Sequence, residues 1–323
     1  MRRLTPAMPK NLRYRRQRRA DDQPRVHFVV SWSCSPSGPG GLMPYYHYCS
    51  ASAFFHIIKN KSVWLSSLTA SNDSMEGKWL SNIIGIAAHR WGISEFERPP
   101  LISLVRDIEH NLDCLGFCMS EAADSLSQWR GYADDGAGFG IGFSDTFIEE
   151  FTDPDDPLVF AQKIVYKVED QLKLLEPISA QIVQAIRDGA FSSAGRGGLL
   201  GPVKTDEERE TEQKRYKEAH GRLFKAITSD IQLFFKIKNA AFSEEQEWRL
   251  SRMAIKPLND LEFRVTGPKV IPYLEQSFAE INDPITDVLI GPKNPNPKDV
   301  VIGFLARHGF DHVFVDTSGA SYR

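Results

Sequence analysis

Apolar and polar positions along the chain predict interleaved strands and helices. The run YYHYC (45–49) reads as a strand, Ser50 as the N-cap of a short helix, and Phe54, Ile57 and Ile58 as the apolar face of that helix before VWLS resumes extended chain. LISLVRDIEHNLD places Leu101, Leu104, Val105, Ile108 and Leu112 on one helical face, and CLGFCMS follows as a buried strand. DSLSQWRGYA predicts a short helix capped by Asp124 or Ser125.

In DDGAGFGIGFS, glycine alternates with apolar residues at period two. No buried strand feeds directly into it and no helix opens from it, so the run reads as a strand rather than a phosphate loop. Its glycine face would let another backbone or a flat ligand come close. LVFAQKIVYKV predicts a strand, 171–187 a helix, 190–205 a Gly-rich loop, and 206–240 one long charged helix that turns apolar on one side. In SEEQEWRLSRMAI, Glu245, Glu247, Arg249 and Ser251 alternate onto one strand face, with Trp248 and Leu250 on the other. ITDVLIGP, a helix after PNPKD and HVFVDTS complete the pattern. Strands mingle with helices without regular βαβ alternation or internal repeat, which predicts an α+β fold with a mixed or split sheet and flanking helices.

The chain has 323 residues, 41% of them hydrophobic, and a formal net charge of −3, so it carries no global field toward nucleic acid or an acidic membrane. Charge is uneven, however. Residues 1–25 hold nine Lys and Arg against Asp21 and Asp22, and SPSGPGG (35–41) reads as a linker. Residues 1–43 are therefore expected to be a disordered basic arm and linker, and 44–323 a single α+β domain with a helical insertion around 170–240. The arm reads as a tether for nucleic acid, a solvated tail, or the product of a start codon placed too far upstream. Cys34, Cys49, Cys114 and Cys118 are too few and too scattered for a disulfide scaffold, and suit a reducing cytoplasm; Cys114 and Cys118 lack the second pair that a zinc site needs. The apolar run in RVHFVVSWSC is too short for a signal core or a membrane span, so a cytoplasmic protein without a membrane partner is expected.

No nucleophile elbow, Walker loop, kinase set or HExxH motif is present. Three clusters carry chemistry: Tyr45, Tyr46, His47, Tyr48 and Ser50; Ser125, Ser127, Gln128, Trp129, Arg130 and Tyr132; and Glu245, Glu247 and Arg249. Singly, each has a structural reading: an aromatic strand with a satisfied histidine, a capped helix with a packing tryptophan, and a solvated charged strand face. Together, a histidine, flat rings and a carboxylate suit a site that holds a sugar, stacks a planar ring and stabilises positive charge at a sugar carbon.

The order YHYCS, DSLSQWRGYADDGAGFGIGF, EEQEWR, SGASYR resembles the bacterial domain-of-unknown-function family 2971, over about residues 44–323. Cys49 and Ala133 stand where that family usually has threonine and glycine. The motif layout is in turn similar to that of ADP-ribosyltransferases, some of them DNA-modifying toxins. That resemblance implies NAD as substrate and cleavage of its nicotinamide C–N bond without a metal. His47 would bond the ribose; Tyr45, Tyr46 or Trp129 would sandwich nicotinamide; Glu247, or alternatively Glu245, would serve the developing cation. Arg130 or Arg249 would meet the pyrophosphate, with Tyr46, Tyr48, Ser50, Trp129 and Tyr132 completing the NAD site. It also implies an acceptor, nucleic acid or protein, that the sequence does not name, and a toxin or phage-defence setting. Two other readings stay open: a metal-dependent nuclease or phosphoesterase using His47 with Asp73, Glu76, Asp134 and Asp135, and a nucleotide- or protein-binding module without turnover.

Overall fold

In a computed structural model, residues 44–70, 75–152, 156, 158–192 and 205–322 are described. The expected arm and linker (1–43), Cys34, Asp73 and most of the Gly-rich loop lie outside them. Strand β1 (Tyr45–Cys49) leads into α1 (Ala51–Asn60), whose first turn is capped by Ser50 Oγ accepting from the Ala53 amide at 3.2 Å; Lys61, at φ 51°, then reverses the chain into β2 (Ser62–Ser67). Two helices follow, α2 (Leu80–Arg90) and α3 (Arg98–Asn111), then β3 (Leu112–Ser120), α4 (Leu126–Tyr132), β4 (Phe139–Phe143) and α5 (Asp145–Phe151). After β5 (Val159–Lys163), α6 (Val168–Arg187), α7 (Asp206–Thr228) and α8 (Leu233–Lys236) fill the interval before β6 (Glu247–Ile255). The hairpin β7 (Glu262–Thr266) and β8 (Lys269–Ser277), then β9 (Ile285–Ile290), α9 (Lys298–Arg307) and β10 (Phe314–Thr317) complete the order.

The ten strands of the described residues join one mixed sheet, in which β9 and β10 run parallel and the other named pairs antiparallel. The fold is α+β. The sheet splits at β3. One edge of β3 pairs with β6 along its whole length, from Leu112↔Ile255 to Ser120↔Glu247. The other edge is shared: β2 pairs at Ser66↔Gly116 and Ser67↔Leu115, and β1 touches only at Tyr46↔Ser120. Among the described residues, Phe117, Cys118 and Met119 thus have no strand on that edge, and the β1 branch (β4, β9, β10) diverges from the β2 branch (β8, β7).

Helices cover both faces. Under α1, α5 and α9, Phe54, Ile57, Phe117, Phe143, Phe147 and Val288 form one core; on the opposite face, α2, α3 and α6–α8 pack Ile83, Val105, Leu175, Leu223 and Phe234 against Cys114 and Met253. Each core buries the stripe that periodicity assigns to its helices.

Three elements differ from the sequence reading. Helix α2 has no side-chain N-cap and carries Gly85, so its start lacks a local signal, yet Leu80, Ile83, Ile84, Ala87 and Ala88 are all buried. The helix expected to run from 206 to 240 ends at Thr228; after α8 the chain extends through Ile237, whose neighbour Val165 it bridges. The β7–β8 hairpin carries Pro272 and turns on Gly267-Pro268, residues that mask strand character in a sequence.

Candidate functional site

The gap in the β3 edge is filled by a side chain. His47 reaches across from β1, its Nδ1 lies 2.8 Å from the Cys118 carbonyl oxygen, and its ring stacks on Phe117 at 4.2 Å. A carbonyl only accepts, so Nδ1 carries the proton and Nε2 is left as an acceptor. Burial lowers the imidazole pKa to about 4, against the counter-effect of the Cys118 bond, and the ring is neutral at pH 7.

Beside His47 opens a cavity of about 110 Å³. Strand β1 contributes Tyr46, His47 and Tyr48, β3 contributes Cys118 and Met119, α4 contributes Gln128 and Tyr132, and β6 contributes Glu247 and Arg249. Glu76, Lys238 and Glu245 close the wall. The imidazole and the two carboxylates of the third cluster therefore share one hollow, although Glu245 does not continue the strand alternation. It sits in a 3-10 turn (Ala240–Glu245), and Gln246, at φ 44°, breaks the register before β6 begins. Ser120 Oγ donates to the Glu245 carbonyl at 2.7 Å and pins that turn to the end of β3.

The polar face of β6 is not solvated. Arg249, 1% exposed, donates to Glu247 through Nε (2.6 Å) and Nη2 (2.8 Å), to Glu76 through Nη1 (2.7 Å) and Nη2 (3.0 Å), and to the Phe235 carbonyl through Nη1 (3.1 Å). A guanidinium has five N–H groups, and all five are engaged, so Arg249 has none to offer a pyrophosphate. Lys238 Nζ reaches Glu245 at 2.6 Å and Glu247 at 3.1 Å. Burial alone would raise the Glu247 pKa; the charge and hydrogen bonds of Arg249, with Lys238 behind them, overcome it and hold the carboxyl at about 2. Burial pushes the Cys118 thiol well above its usual value, and it stays protonated beside Glu247. In formal charges, Glu76, Glu245 and Glu247 outnumber Lys238 and Arg249 by one, which leaves the lining singly negative around a neutral imidazole.

Glu245 is the more accessible carboxylate of its pair: its side chain is 12% exposed against 6% for Glu247. At the rim, the half-exposed Tyr132 donates its hydroxyl to Glu245 Oε1 at 2.7 Å.

The other residues of the sequence reading lie outside this hollow. Trp129 is fully buried; its Nε1 donates to Asp124 at 2.6 Å, and its ring meets Tyr48 edge-on at 4.8 Å and covers Gly140. The flat group against the glycine strand is thus an indole of the protein itself, and it has no face open to a ligand. Tyr45 packs against Trp248. Ser50 caps α1, and Arg130 lies over Tyr322 at 5.8 Å. The carboxylates named for a metal are not brought together: Glu76 is held by Arg249, Asp135 pairs with Lys293, and neither Asp134 nor Asp135 lines the cavity. Among the described residues, no group of three or more His, Cys, Asp or Glu is placed to hold a metal ion.

Sequence reasoning missed Lys238. Its signal was a lysine, the second of two, inside the largely apolar stretch LFFKIKNAAF, where a buried ammonium requires an acidic partner.

Fold and site together define an α+β protein with a split sheet and a buried charge cluster at the split. Residues 128–250, from α4 to β6, match the family model described as "Protein of unknown function (DUF2971)". The match includes the Trp129–Tyr132 and Glu247–Arg249 signatures and does not reach β1. No curated protein and no solved structure matches the chain. Among the described residues no helix is long and apolar enough to cross a membrane.

Proposed function

We propose that this cavity is the reaction site of an NAD-consuming enzyme of ADP-ribosyltransferase type. One observation carries the reading: His47 of β1 and the carboxylates Glu245 and Glu247, far apart in the chain, line a single hollow with tyrosines in its wall. The size of the hollow suits one flat ring and the sugar edge next to it, and falls short of the about 300–1,000 Å³ usual for larger ligands. NAD would therefore enter by its nicotinamide end, with the adenylate outside.

The lining favours that end. Nicotinamide riboside carries one positive charge, and the surrounding ionised groups leave one negative. His47 Nε2 accepts from a ribose hydroxyl. Glu245, the accessible carboxylate, faces the charge that develops at C1′ as the C1′–N1 bond breaks and its electron pair leaves with nicotinamide. A lone pair of the acceptor then bonds C1′, and the acceptor's proton passes to Glu245 or to solvent. Glu247, fixed by Arg249 and Lys238, sets the field and holds the wall. A pyrophosphate contact falls to neither Arg249, which is saturated, nor Arg130, which lies outside the hollow.

The test is nicotinamide release from NAD by the purified protein, with and without chelator. His47→Asn keeps a donor for the Cys118 carbonyl while removing Nε2, and Glu245→Gln removes the charge. Each is expected to lower release by about two to three orders of magnitude with the fold intact. Release abolished by chelation would support the metal enzyme instead, and NAD binding without nicotinamide release would support a binding module.

A further inference from the structure

The far end of the sheet carries an unfinished surface. Strand β7 is the last in its branch and among the described residues pairs only with β8, which leaves one edge of its backbone without a strand partner there. On one face of this hairpin Phe263, Val265 and Val270 are 54%, 75% and 64% exposed. They share a face with Leu274, which packs against the α1–α5–α9 core, so the hairpin carries an apolar stripe past the edge of that core.

The other face carries an arginine without an acid. Arg264 is partly buried, with Nη2 donating to Ser66 Oγ at 3.1 Å and Nη1 to Thr266 Oγ1 at 2.8 Å. Its Nε is buried without a partner, and it forms no ion pair among the described residues. Two residues away, Glu262 is exposed.

We infer that β7 is a homodimer edge, pairing antiparallel with β7 of a second copy about a two-fold axis through Phe263. The geometry selects that register. Thr266 and Lys269 flank the two-residue turn Gly267-Pro268 and so form a hydrogen-bonded pair, which turns the N–H and C=O of Phe263 and Val265 outward. A two-fold at Phe263 joins those outward groups in a new ladder. It sets Glu262 of each copy opposite Arg264 of the other, and brings the two Phe263 rings together on the apolar face. A two-fold at Arg264 would oppose two arginines and one at Glu262 two glutamates, and one at Val265 would set Arg264 opposite Thr266 and Glu262 opposite Pro268, leaving both charges unpaired. The contact is independent of the cavity at β3.

Sedimentation of the full-length protein over a range of loading concentrations tests this. A monomer–dimer equilibrium is expected. Glu262→Arg or Arg264→Glu alone is expected to weaken it about tenfold or more, because two opposite-charge pairs become two like-charge pairs. The double swap Glu262→Arg/Arg264→Glu re-forms both pairs and is expected to restore it, with circular dichroism confirming the fold of each variant. Val265→Lys, which charges the stripe, is expected to dissociate the dimer. A monomer at every loading, or a dimer that tolerates either single swap, overturns the inference.

Discussion

Arg249 and Glu247 lie side by side, two residues apart on one strand and both buried, joined by two hydrogen bonds of 2.6 and 2.8 Å. Arg249→Met leaves Glu76 and Glu247 as neighbouring buried carboxylates beside one lysine. It is expected to cost about 3–5 kcal/mol in urea unfolding, and Arg249→Lys, with three donors in place of five, is expected not to recover it.

Acid stability follows from the same pair. The Glu247 pKa lies below its ordinary value of 4.5, at about 2, so the folded state binds fewer protons than the unfolded chain between these values. The stability contributed is present above about pH 4.5 and is lost as pH falls toward 2. Unfolding free energy measured from pH 6 down to pH 2 is expected to fall through this window, and to fall less steeply in Glu247→Gln, which also starts from lower stability.

Glu245 and Glu247 are expected to separate function from folding. Glu245→Gln keeps the Arg249 network whole and is expected to lower nicotinamide release more than it lowers the unfolding midpoint. Glu247→Gln, at the centre of the network, is expected to lower both. Parallel measurement of release and urea midpoint for the two variants decides it, and equal loss of stability in both would place Glu245 in the scaffold alone.

For His47, the ring protons are expected to titrate by NMR with a midpoint near pH 4. The depressed pKa stabilises the fold above the ordinary 6.5, and that contribution is lost as pH falls from there through about 4. Nitrogen chemical shifts at pH 7 are expected to report a protonated Nδ1 and a bare Nε2. The opposite tautomer would contradict the bond to Cys118.

At Gly140 a Cβ would stand 3.4 Å from the Trp129 ring. Gly140→Val is expected to push the indole out of place, costing about 1–3 kcal/mol and shifting tryptophan emission.

Local chemistry made much of this legible. The β1–α1–β2 unit follows from the aromatic run, the Ser50 cap and the Phe54–Ile57–Ile58 face, because each is decided within a few residues. Period two also placed Glu247 and Arg249 on one side of a strand. Whether that side faces water depends on Glu76, Phe235 and Lys238, brought in from other segments, and no local pattern encodes it. The same limit explains Trp129: a tryptophan near a glycine strand suggests a platform for a ligand, and only the tertiary structure shows that the strand takes its ring. The hairpin β7–β8 was hidden by Pro272 and the Gly-Pro turn.

The imidazole of His47 stands in for a rung that the backbone does not supply, and this sets ladder and hollow against each other. Were β1 zipped onto Phe117–Met119, the sheet would gain main-chain bonds and the cavity would be squeezed shut. Selection for thermal robustness alone would then push the molecule toward a continuous, silent sheet, so hardened variants that keep an open hollow would have to draw their gain from elsewhere in the fold.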